Sequence, residues 1–119
     1  MNRPKWFAAR MILEAVHPEE PPGDRLYEDR VILVKADDEH QARLRAGRLG
    51  EASRQHYKNE YGGTVVWQFK ELLDVVELFD ETIADGTEVY YSLIGEVGLG
   101  HIRSLFRWKT GEQPAAPEG

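Results

Sequence analysis

Residues 64–79, TVVWQFKELLDVVELF, decide the fold of this chain. Val65, Trp67 and Phe69 share one parity, the period of two that a half-buried strand requires. The alternation then slips. Glu71 falls where the next apolar residue belongs, and apolar pairs follow at Leu72–Leu73, Val75–Val76 and Leu78–Phe79. A straight strand of this length would span roughly 50 Å, against a radius of gyration of about 13–14 Å for a chain of this size. Length and parity slip together predict one long strand with a β-bulge or sharp coil near Lys70–Leu73.

Working upstream, the next element is a helix. Asp38 is the predicted N-cap, with Gln41 three residues on as its capping-box partner. Ala42, Ala46, Leu49, Ser53 and His56 recur at helical spacing, which carries the predicted helix to a stop at Gly62 or Gly63. Gly47 and Gly50 lie inside it, each costing about 1 kcal/mol relative to alanine. Before the helix, residues 26–36, LYEDRVILVKA, end in the β-branched and aliphatic run Val31 to Val34 and read as a strand. Residues 17–25, HPEEPPGDR, are a loop broken by three prolines and a glycine. Residues 6–16, WFAARMILEAV, place Phe7, Ala9, Met11, Leu13 and Ala15 on one parity and read as another strand, antiparallel to the second.

Downstream, Asp85-Gly86 between two strand-like runs is a hairpin signal, and 87–94, TEVYYSLI, reads as the returning strand. Beyond it, a short helix or strand would pack Ile102, Leu105, Phe106 and Trp108 back on the body. The expected fold is α+β: a four-stranded antiparallel sheet with one long helix (β-β-α-β-β), a bent third strand and a short C-terminal helix or strand. Residues 1–109 form a single domain on this reading, and 110–119 a mobile tail with nothing to bury. No internal repeat is visible.

Trp6, Tyr27-Glu28, Glu60-Tyr61-Gly62, Trp67, Phe69, Leu73, Val75, Leu78 and the run Asp85 to Tyr90 stand in an order that resembles the bacterial domain of unknown function DUF4288. The resemblance covers about residues 6–95, and the segment after Gly95 departs from it. These are structural-looking positions. The resemblance implies a fold and no activity, ligand or catalytic residue.

Composition excludes several chemistries. The 119 residues are 41% hydrophobic and 30% charged, ordinary for one globular domain. The absence of cysteine removes disulfides, thiolate metal sites and cysteine nucleophiles, and fits a reducing compartment. No apolar run approaches the ~18–20 residues of a membrane span. Arg10 and Glu14 interrupt the N-terminal stretch, which therefore reads as a strand and not a secretory leader; a cytoplasmic protein is the expectation.

The net charge is −6, unevenly placed. Arg43, Arg54 and Lys58 fall on one face of the predicted helix, while 71–88 carries acids and no Lys or Arg. With Trp67, Phe69, Tyr90 and Tyr91 as stacking surfaces, the basic face would suit a nucleic-acid accessory protein. The acidic balance argues against it. Glu71 and Glu77 share strand parity, with Asp74 opposite, and paired acids could serve acid–base catalysis or ligand binding if one were buried. A solvated face that discourages edge pairing is the plainer reading. His40 and His56, on one predicted helix, point about 160° apart at ~100° per residue, and no metal site is expected. No serine sits in a Gly-x-Ser-x-Gly elbow, and VGLGH at 97–101 lacks the ending of a phosphate loop. No catalytic residue and no cofactor is expected.

The apolar surplus of the sheet exceeds what one small-residue helix can cover. A non-enzymatic protein-interaction module, closed by residues 101–108 or by a second copy, is therefore the leading expectation. Trp67, Phe69, Tyr90, Tyr91, Phe106 and Trp108 are its candidate contacts, with Glu71, Asp74 and Glu77 an acidic face for a basic partner.

Overall fold

The computed structural model describes residues 3–18, 26–53, 55–58 and 63–110, with the backbone path alone at 55–58 and 107–110. In chain order the elements are β1 (Lys5–Val16), β2 (Leu26–Ala36), α1 (Glu39–Ala52), β3 (Gln55–Lys58), β4 (Thr64–Glu77) and α2 (Glu96–Thr110). The sheet is antiparallel, in the order β2-β1-β4-β3. Its body is the three long strands, and the four-residue β3 pairs with the first residues of β4.

β1 lies at the centre because it is apolar on both faces. Phe7, Ala9, Met11 and Leu13 meet Val34, Val75 and the small residues Ala42 and Ala46 of α1 in the core. Asp38 caps α1 by accepting from the Gln41 amide at 2.8 Å, while the Asp37 amide donates to the Gln41 side chain at 3.2 Å. The buried face of α1 is Ala42, Ala46 and Gly50, four residues apart. A Cβ on Gly50 would stand 2.4 Å from Phe69 Cδ2, so the helix rests on that ring only because the position is glycine.

β4 carries two irregularities. Its register against β1 passes from Arg10↔Asp74 to Met11↔Leu72, and from Ile12↔Glu71 to Leu13↔Phe69. Leu73 and Lys70 are thereby left out of the ladder, at the two ends of the segment where the parity slip predicted a bulge. Each extra residue inverts the facing of the strand beyond it. Glu71 and Asp74 consequently share the helix-free face, and Glu77 falls beside Phe7 on the other; the expected pairing of Glu71 with Glu77 is corrected.

The expected four-stranded sheet with one long helix is also corrected. Residues 87–94 form no strand. The Asp85-Gly86 turn does form, with the Thr87 amide donating to the Ala84 carbonyl at 3.1 Å and Gly86 at φ 87°. The segment beyond it finds no regular ladder, because the bulges at Lys70 and Leu73 break the even spacing of β4's N–H and C=O groups. The predicted helix is too long. It ends at Ala52, where the Ser53 amide and hydroxyl both donate to the Gly50 carbonyl, at 3.2 and 2.7 Å. Residues 55–58 become β3, and the predicted stop at Gly62 or Gly63 is not used; Gly62 lies outside the described residues. A second helix, α2, occupies 96–110. The expected tail lies outside the described residues from 111 on.

Candidate functional site

The face of the sheet without a helix is polar at its centre. Arg10 donates from Nε to Asp29 Oδ1 at 2.8 Å and from Nη2 to Oδ2, a two-pronged pair across β1 and β2. Its guanidinium also stands 5.6 Å from the centroid of the Tyr90 ring. Tyr90 in turn donates its hydroxyl to Asp74 Oδ2 at 3.0 Å. These bonds, first to Asp29 and then to Tyr90, raise the Arg10 pKa further against a smaller desolvation effect. The hydrogen bond from Arg10 holds the Asp29 carboxyl below its ordinary value of 3.8. Beside this network, Lys70 lies 3.8 Å from Glu14 and 5.5 Å from the Tyr27 ring centroid. Tyr91 continues the strap by stacking on Phe79, with centroids 5.8 Å apart.

This network is a fastening. Every charged member faces an opposite charge or a hydroxyl, so segment 87–91 is tied down over the sheet without being a strand. Asp74, one of the predicted acidic-face residues, is engaged twice, by Tyr90 and by the Val75 amide at 2.9 Å. Glu77 pairs with Lys5 at 3.2 Å, and Glu71 is exposed.

The six aromatics expected as one contact surface separate into three places. Trp67 and Phe69 pack against the core on the α1 side. Tyr90 and Tyr91 form the strap. Phe106 and Trp108 lie on α2. The predicted basic helix face is not assembled. Arg43 stays on α1 and donates to Glu39 Oε1 at 3.0 Å, Lys58 is in β3, and Arg54 lies outside the described residues. His56 likewise belongs to β3 and not to the helix of His40. Among the described residues no three His, Asp or Glu side chains group as metal ligands. An open groove of about 670 Å³ runs past Trp6, Lys35 and Phe79. Its cations Arg3 and Lys5 already face Glu81 and Glu77, and Lys35 sits 5.1 Å over the Trp6 ring.

α2 is the remaining candidate. Leu99, Ile102 and Leu105 follow at three-residue steps, with Phe106 beside them, and build one apolar stripe. All four are exposed, Leu105 at 50%, and Val97 at the first turn stands 89% exposed. Among the described residues no strand comes near α2, and neither does α1. Residues 101–106 therefore do not close the sheet as the spacing had suggested; Tyr90 does so in part. Periodicity alone marked Ile102 and Leu105 as apolar contacts. Nothing local in the sequence indicated that the contact lies outside the body.

No helix among the described residues is long and apolar enough to cross a membrane. Residues 6–91 match the family described as Domain of unknown function (DUF4288). No curated protein and no solved structure matches the chain. The match takes in β1 through β4 and the Tyr90–Tyr91 strap and ends five residues before α2.

Proposed function

The chain belongs to the DUF4288 family, and from that premise we propose that it is a non-enzymatic protein-interaction module whose family body presents α2 to a protein partner. The observation that carries this reading is the exposure of Leu99, Ile102 and Leu105 on a helix that neither α1 nor any described strand approaches. Each such side chain gains about 1.5–3 kcal/mol on full burial. A helix of 15 residues is marginal in water by itself. Gly98 and Gly100 inside α2 weaken it by about 1 kcal/mol each. Contact with a partner would offset both costs. Because α2 lies beyond the matched residues, partner choice on this reading is a property of this chain's own C-terminal extension.

The test is a variant carrying Leu99→Asp, Ile102→Asp and Leu105→Asp together, unfolded thermally in dilute solution. The body should melt within about 3 °C of the unsubstituted chain, as exposed substitutions do. A fall of about 10 °C or more would place α2 in the body's own core and end the proposal.

A further inference from the structure

We infer that the partner of α2 is α2 of a second copy of this chain, paired antiparallel about a two-fold axis beside Ile102; this rests on the interaction-module reading above. The stripe is symmetric about that residue in size as well as spacing. Leu99 and Leu105 stand three residues to either side, and Gly98 and Phe106 four. An antiparallel crossing at Ile102 sets Leu99 of one copy against Leu105 of the other. It also sets the bare backbone of Gly98 against the Phe106 ring, large into small. A parallel pair would press Phe106 on Phe106 and leave Gly98 facing Gly98, a crowd at one end and a gap at the other.

Charge selects the same arrangement. Glu96 opens α2, and Arg103, Arg107 and Lys109 lie toward its end. Antiparallel pairing brings each Glu96 to the other copy's Arg107 and Lys109, twice over, and opposes the helix dipoles. Parallel pairing would oppose acid to acid and cation to cation. α2 is also where the chain's sign reverses. The whole chain is −6 and 71–88 carries no Lys or Arg, so two copies meeting through α2 avoid setting acid against acid. Ile102 lies close to the middle of the 15-residue helix, so a crossing there engages its whole length, about 22 Å.

The chain has no cysteine, so single-cysteine variants of the full chain report the geometry directly. Under mild oxidation Ile102→Cys should convert most of the protein to a covalent dimer, because residues on the axis come within disulfide reach. Val97→Cys should cross-link at least about ten-fold more slowly, its two copies being separated by about 15 Å along the pair. Mixed Leu99→Cys and Leu105→Cys chains should give the heterodimer in excess over either homodimer, which guards against a weakened pair in the Ile102 variant. Equal cross-linking at 97 and 102 would overturn the antiparallel arrangement. Sedimentation as a monomer at about 100 μM with no heterodimer excess, a concentration generous for a specific pair, would overturn self-pairing. If the aspartate variant still melts with the unsubstituted chain, the module reading then stands with a different protein as partner.

Discussion

Tyr90 reaches across the helix-free face of the sheet to hydrogen-bond Asp74 at 3.0 Å. This bond, with the Tyr90 ring beside Arg10, fastens a segment whose alternating pattern would otherwise make it a fourth strand. Tyr90→Phe removes the hydroxyl and keeps the ring. It should lower unfolding free energy by about 1 kcal/mol, the usual worth of one hydrogen bond. Tyr90→Ala also removes the ring–guanidinium contact and should cost about 0.5–1 kcal/mol more. Urea unfolding of the two variants measures both, and equal losses would mean that the ring contributes nothing.

The Arg10–Asp29 pair makes stability depend on pH in a defined direction. Asp29 titrates below its ordinary value of 3.8 when folded, so the unfolded chain binds its proton more readily. The contribution is complete above about pH 4 and is lost as pH falls through the folded value. Arg10, whose pKa is raised, stays charged throughout. Asp29→Asn should therefore be less stable than the unsubstituted chain at pH 7, and the difference should shrink in titrations below about pH 4.

Gly50 and Gly47 should respond oppositely to alanine. A Cβ at Gly47 meets nothing within 4 Å, so Gly47→Ala should gain up to about 1 kcal/mol from helix propensity. At Gly50 the same methyl meets the Phe69 ring at 2.4 Å, and overpacking should cost about 1–3 kcal/mol. Gly50→Ala combined with Phe69→Leu should recover part of that loss. A double-mutant cycle from chemical denaturation gives the coupling.

Much of the body was legible because its signals are local. The parities of β1 and β2, the Asp38 cap with Gln41 and the slip at Lys70–Leu73 all depend on residues a few positions apart. The places where the reading failed depend on distant partners. α1 stops at Ala52 because residues 55–58 pair with β4, while the helical spacing of Ser53 and His56 ran on past that point. Gly50 looked like a helix weakness until Phe69 was found beneath it. TEVYYSLI alternates as a strand does, yet Tyr90 is engaged by Asp74 on the sheet face. The stripe on α2 was visible as apolar, and the surface it was assigned to was wrong: it makes no approach to the sheet.

Amide hydrogen exchange on the full chain, across a dilution series, tests the role of α2 most directly. The proposal predicts that β1 and β4 amides stay protected at every concentration. It also predicts that α2 amides exchange within about ten-fold of unstructured rates in dilute protein and slow as copies associate. Protection of α2 equal to that of β1 and independent of concentration would make α2 part of the body's cooperative unit and would contradict the proposal.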